Sequence, residues 1–411
     1  MKIKFKQKYN YYELSLIVCM FGLFIAGTVL RFVLYSNLTL KTYSPLLFLG
    51  TLFIYFTDKG SPYDIGYTRW NKTILKMYAV LGIVALVAFS YLHVWAMEGA
   101  VFLTIIVPSV VVAYRFRSSK NLYKAFNMFM LFLKICISFM LVTELLDIVS
   151  KFSVTNWIAS VTGIESLLKQ ATYNRCVTYM GHPLYSKEIF LSYYLFSHIE
   201  NMLYKKKETI APFIVSFLGI LLTQSKAGII LVAATFLLFN FNSKRMRYLG
   251  MGILIVCIGY VLGIFDSIIS RFVSGIEAGD ITSGRNTILE RLLSSGKLQF
   301  GLFKMQRLTD YNSSLKVSVA LEYPILRWAF RMGIVIAVIL VLISFLYPLI
   351  ILLRRKQWLL FWCLLIIVID VNTYAGIGDA SNKALHYYIM CTLILNISEL
   401  VYKQKQLERS P

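Results

Sequence analysis

The feature that most constrains this chain is a succession of long apolar stretches with Lys and Arg clustered in every second gap between them. Runs of roughly 17 to 25 apolar residues match what a helix needs to cross about 30 Å of hydrocarbon. In that medium the backbone must satisfy its own polar groups, which a helix does. Apolar runs, some of them shorter than this, are placed near Leu14–Tyr35, Tyr43–Phe56, Ile74–Trp95, Ala100–Tyr114, Phe126–Val149 and Ile189–Tyr204. Others are placed near Ile210–Thr223, Gly228–Phe241, Tyr248–Ile268, Leu326–Leu353, Trp358–Tyr374 and Leu385–Tyr402. The expected fold class is all-α: a polytopic integral membrane protein, one domain over residues 1–411, with about 12 transmembrane helices. The first run is too long for a signal-peptide core and no small-residue cleavage site follows it, so it is expected to remain as a span.

Charge supports this reading. The chain is 58% hydrophobic and only 15% charged, against the roughly 25% charged residues of soluble domains. Its net charge of +22 does not point to nucleic acid, because the cations lie in short clusters between apolar runs, where orientation signals lie. They precede the first run (Lys2, Lys4, Lys6, Lys8) and follow the second (Lys59, Arg69, Lys72, Lys76) and the fourth (Arg115, Arg117, Lys120, Lys124). Further clusters follow the sixth (Lys205, Lys206, Lys207), eighth (Lys244, Arg245, Arg247), tenth (Arg354, Arg355, Lys356) and twelfth runs (Lys403, Lys405, Arg409). By the positive-inside rule those gaps and both termini are expected on the cytoplasmic side of the plasma membrane. The six cysteines form no CxxC pair, so neither a disulfide framework nor a metal site is indicated, and no cofactor is expected.

The remaining gaps are expected to face outward, and two of them are long: residues 150–187 and 269–325. A third outer feature is the tight turn Thr223, Gln224, Ser225, Lys226. Ordering so much polar backbone has an entropic cost, so long loops in a compact membrane protein usually have a function. In the first, Arg175 precedes His182 by seven residues, and Pro183 predicts that the next helix starts just after His182. Taken alone, Arg175 is equally a headgroup anchor and His182 a solvated loop residue. In the second, Ser283, Gly284 and Arg285 precede NTILERLLSSGK, a helix-like segment ending at Gly296. Arg285 near a helix start can bind an anion together with backbone N–H groups, while Arg291 reads as a wet-face charge. Glu322, at the mouth of the tenth run, suits a general base or simply a favourable helix-start charge.

Four patches in this order resemble the Wzy polysaccharide polymerase and O-antigen ligase superfamily. Arg175 with Gly181, His182 and Pro183 looks like an Arg and "GHP" segment. TQSKAG (223–228) looks like an "S-R-x-G" turn with Lys226 where Arg is commoner. Ser283, Gly284 and Arg285 look like an "SGR", and Glu322 falls where many ligases have a His, a departure more compatible with a polymerase. The likeness covers roughly Arg175 to Gly333.

The resemblance implies a bacterial glycosyltransferase on the outer face of the cytoplasmic membrane, polymerising undecaprenyl-diphosphate-linked oligosaccharide repeat units into a capsular, exopolysaccharide or O-antigen-type polymer. Donor and acceptor would both be lipid-linked, and a flippase and a chain-length regulator would be partners. Arg285 and Arg175, with Lys226 and Ser225, would hold the diphosphate without a metal. Glu322 would be the base for the acceptor hydroxyl and His182 the reserve base. Arg327 and Lys134 are further candidates for substrate contact. Lys134, Glu144, Asp147, Arg331 and Asp370 fall in or beside apolar runs, where charge is costly and marks function. If they line a pathway, the protein is instead a lipid-linked oligosaccharide transporter. Transfer of finished polymer to a surface acceptor, as by an O-antigen ligase, is the other alternative.

Overall fold

The computed structural model describes residues 10–34, 45–59, 69–92, 105–240, 266–277, 279, 285–294, 300–303, 322–374, 376–378 and 382–408. Among the described residues the structure is helical, with no strand and one isolated bridge between Trp70 and Tyr114. Among the described residues three helices are long and apolar enough to cross a membrane: Ser119–Val149, Ile334–Arg354 and Lys383–Leu407. The ninth expected span, near Tyr248–Ile268, falls almost wholly outside the described residues, as does most of the segment 269–325.

In chain order the helices are α1 (Tyr11–Phe24), α2 (Leu30–Leu34), α3 (Pro45–Thr57) and α4 (Lys72–Leu92). A helical turn at Val107–Ser109 continues as a tighter one at Val110–Ala113. Then come α5 (Ser119–Val149), α6 (Ser153–Thr162), α7 (Glu165–Thr172), α8 (Pro183–Tyr204), α9 (Ala211–Leu222) and α10 (Lys226–Phe239). The rest are α11 (Asp266–Glu277), α12 (Arg285–Ser294), α13 (Pro324–Met332), α14 (Ile334–Arg354), α15 (Trp358–Asn372) and α16 (Asn382–Leu407).

Several boundaries follow from capping. The Ser118 side chain accepts from Asn121 N–H at 3.0 Å and starts α5, as a Ser N-cap does. Pro183 occupies the first turn of α8, directly after His182. Its missing N–H is one that a helix start leaves unpaired in any case.

Two expectations need correction. The first apolar run is not one helix, because α1 stops at Phe24 and the chain turns through Ile25–Val29 before α2. There Val29 N–H leaves the helical pattern to donate to Tyr179 C=O at 3.2 Å. The tenth run is likewise interrupted, at Gly333, whose φ of +85° belongs to glycine. A Cβ there would stand 2.6 Å from Leu302 C=O. Segment 301–302 enters this break, accepting from Ile334 N–H at Gly301 (3.1 Å) and from Val335 N–H at Leu302 (3.2 Å).

The contacts sort the helix ends into two sets. At one end Lys124 pairs with Glu13 (2.6 Å), Arg115 with Glu399 (3.5 Å), and Tyr12 O–H donates to Asn121 C=O (2.9 Å). The basic residues 115–124, 355 and 403 therefore gather at a shared end, in the alternation the sequence predicts. The opposite end holds the end of α1, the start of α8, the α9–α10 turn, the end of α15 and the start of α16. On α5, Leu131, Ile135, Phe139, Val142 and Leu146 recur every three or four residues and are all exposed. An outward apolar stripe of this kind suits hydrocarbon rather than water.

Candidate functional site

The first long outer segment folds onto the α9–α10 turn. Asp147, at the end of α5, accepts from Thr155 N–H (2.9 Å) and Thr155 O–H (2.7 Å), which fixes α6. Arg175 Nε donates to Thr223 C=O at 3.2 Å and Nη1 to Gln170 Oε1 at 3.0 Å. Cys176 N–H donates to Leu222 C=O, and Gln224 Nε2 to Asn174 C=O. Two of the sequence patches, Arg175 and TQSKAG, are thus joined. Ser225 serves as the cap of α10, accepting from Gly228 N–H at 3.3 Å, and Lys226 is half-buried beside it. Burial, with Glu144 and Asp147 nearby, pushes the Cys176 thiol up, so it is no nucleophile.

The chain then turns at Gly181, with φ +78° and a Cβ position 2.4 Å from Val29 Cγ1. Only glycine permits this backbone so close to the α1 break. Next, His182 Nδ1 accepts from Leu184 N–H at 3.2 Å and caps α8. That bond uses the Nδ1 lone pair, which places the ring proton of the neutral imidazole on Nε2. His182 therefore offers a donor, which does not suit the reserve-base role expected for it.

A cavity of about 220 Å³ opens here, lined by Thr28, His182, Tyr185, Glu188, Lys383 and His386, with Leu23, Phe24 and Ile189 as its apolar wall. Glu188 is 3% exposed; its Oε2 accepts from Tyr374 O–H, and its Oε1 lies 3.0 Å from His386 Nδ1. His386 is held between Phe24 and Phe129, with ring centroids 5.4 and 6.0 Å away. Beside this network Lys187 Nζ pairs with the Asp370 carboxylate, 3.3 Å from Thr373 Oγ1 and 4.8 Å from the Tyr374 ring centroid. Lys383 lies over the Tyr185 ring, a cation–π placement.

The second long outer segment reaches the same end of the bundle. Helix α12 begins at Arg285, as the sequence predicts, and Tyr323 O–H donates to Asn286 Oδ1. This places the start of α12 beside Glu322, which is half-buried. The Arg285 side chain, Ser283, Gly284 and Gly296 lie outside the described residues. Trp328 Nε1 donates to Ile377 C=O at 3.1 Å, and a Cβ at Gly378 would stand 3.2 Å from Arg327 Cδ. The turn 376–378, just after Tyr374, therefore connects Glu322 and Arg327 to the cavity's surroundings.

Lys134 is elsewhere. It pairs with Glu200 at 2.9 Å, which also binds Lys206 at 2.9 Å. Glu200 is 18 residues along α8 from His182, roughly 27 Å at 1.5 Å per residue, so Lys134 takes no part in this site. Asp147 and Asp370 hold structure, Arg331 is half-buried on α13, and Glu144 is fully buried.

Sequence reasoning missed Lys187, Glu188, Lys383 and His386. The signal was present in the last case: an imidazole in an apolar run is a functional candidate by default. Among the described residues no three His, Cys, Asp or Glu side chains come together in a metal-binding group. Compared with protein-family models, curated proteins and solved structures, the chain matches none.

Proposed function

We propose that the protein is a membrane glycosyltransferase of the Wzy polymerase kind, joining lipid-diphosphate-linked oligosaccharides on the outer side of the cytoplasmic membrane. One observation carries this reading. A cavity that holds a carboxylate, two imidazoles and an ammonium is lined by the end of the first long outer segment, at the end of the bundle opposite the basic residues 115–124. Its volume is below the roughly 300–1,000 Å³ of pockets for drug-sized ligands, as suits one ring-sized group rather than a whole chain.

In the proposed reaction an acceptor hydroxyl attacks the anomeric carbon of the donor sugar, and negative charge grows on the departing diphosphate. Cations fixed in advance at that charge supply the main electrostatic stabilisation. Arg285 at the start of α12 suits this task through guanidinium and helix N–H groups together. Arg175, Ser225 and Lys226 order and charge the α9–α10 turn. The placement of buried charge favours an enzyme over a transporter. Among the described residues the buried Glu144, Asp147, Lys187, Glu188, Asp370 and His386 belong to one end, and the buried Asp58, Arg115 and His198 to the other.

The test is polymer length on a gel from a strain lacking this chain, complemented with wild type or Arg285→Ala. Single displayed units in the deletion and in Arg285→Ala, with ladders restored by wild type, support the polymerase. Full-length polymer accumulating on its lipid carrier would instead mean a ligase, and no undecorated or decorated product outside the membrane would mean a transporter.

A further inference from the structure

His386 differs from His182 in the way its ring is held. Its Nδ1 lies 3.0 Å from Glu188 Oε1. A carboxylate only accepts, so the bond requires Nδ1–H and leaves the lone pair on Nε2. That atom is buried and has no hydrogen-bond partner among the described residues. A buried polar atom without a partner is destabilising, and His386 lines the cavity, so a ligand atom there would supply the missing partner. Glu188 is fixed in turn by Tyr374 O–H, and the ring by Phe24 and Phe129. A carboxylate that orients an imidazole and stabilises its protonated form makes a proton acceptor of the far nitrogen.

We infer that the cavity is the acceptor subsite, that it takes a sugar hydroxyl, and that His386 Nε2 removes the hydroxyl proton while Glu188 positions the ring. This rests on the glycosyltransferase reading above and moves the base from Glu322 to His386. As the acceptor oxygen bonds to the anomeric carbon, its proton passes to Nε2. The bond from that carbon to the diphosphate oxygen breaks, and its electron pair leaves with the diphosphate. The imidazolium remains paired with Glu188 until it loses the proton to solvent. His182, whose Nε2 carries hydrogen, and Lys383 supply donors around the same space, and Tyr185 supplies an apolar ring face. A carboxylate, two imidazoles, an ammonium and a phenol ring in one small space form a set that reads hydroxyl groups. Lys187, the other cation on α8, is occupied by Asp370.

The test uses full-length protein in proteoliposomes with purified lipid-diphosphate-linked oligosaccharide, following polymer formation in wild type, His386→Gln, Glu188→Gln, Glu188→Asp and Glu322→Gln. The expected result is a fall in kcat of about 100- to 10,000-fold for His386→Gln, the range for a lost general base, with KM changed less than threefold. Glu188→Gln should lose about 10- to 100-fold in kcat, with partial recovery in Glu188→Asp. Glu322→Gln should lose less than 10-fold. If Gln at 386 does not fold, as judged by thermal unfolding in detergent, His386→Ala with added imidazole replaces it, and recovered rate is the supporting result. Wild-type polymerisation with undiminished kcat in His386→Gln, or with loss confined to Glu322→Gln, overturns the inference and leaves the proposed function standing. Absence of polymer from wild type overturns both.

Discussion

Lys187 and Asp370 lie 183 positions apart and form an ion pair whose side chains are 0% and 2% exposed. Removing one partner of a buried pair strands a charge and costs about 3–5 kcal/mol, whereas replacing both with apolar groups is often neutral. Lys187→Met should therefore unfold at markedly lower temperature in detergent, and Lys187→Met with Asp370→Leu should recover most of the loss. Equal melting temperatures for wild type and Lys187→Met would remove the pair from the stability of this end of the bundle.

Arg175 links the first outer segment to the α9–α10 turn by donating Nε–H to Thr223 C=O, while its Nη1 holds Gln170 of the same segment. Lysine keeps the charge but cannot span both acceptors. Arg175→Lys should lower polymer formation about tenfold and speed protease cleavage within 150–187. Unchanged cleavage with lost activity would mean that a guanidinium contact to the substrate, rather than the anchoring, matters.

Gly181 combines a positive φ with close approach to Val29. Gly181→Ala should cost about 1 kcal/mol for the backbone and about 1–3 kcal/mol for overpacking. Adding Val29→Ala should restore the second part only. Denaturant midpoints of the single and double variants measure both.

Lys134 carries the opposite expectation. It is bound to Glu200 far from the cavity. Lys134→Ala should change polymer formation less than twofold, as read from gel ladders.

Periodicity was enough to predict an all-helical structure with long apolar helices among the described residues, because helix length and apolar pattern act locally. The start of α8 after His182 also followed from local Pro chemistry. The breaks at Ile25–Val29 and Gly333 did not, since each is fixed by backbone from a distant segment, Tyr179 in one case and Gly301 and Leu302 in the other. The cavity was half legible. Its rim residue His182 stands in a recognisable patch, but Glu188 and His386, 198 positions apart, meet only in the folded bundle. The meaning of His182 also changed once its Nδ1 was seen to cap a helix.

The interruption of the first apolar run has a practical consequence for mutagenesis. Gly27 lines the cavity, and having no side chain it does so with main-chain atoms alone. Alanine replacement leaves peptide groups in place, so a scan along this wall would be largely blind to whatever they touch. A one-residue insertion or deletion between Phe24 and Leu30, which rotates or closes the turn, would expose their role instead.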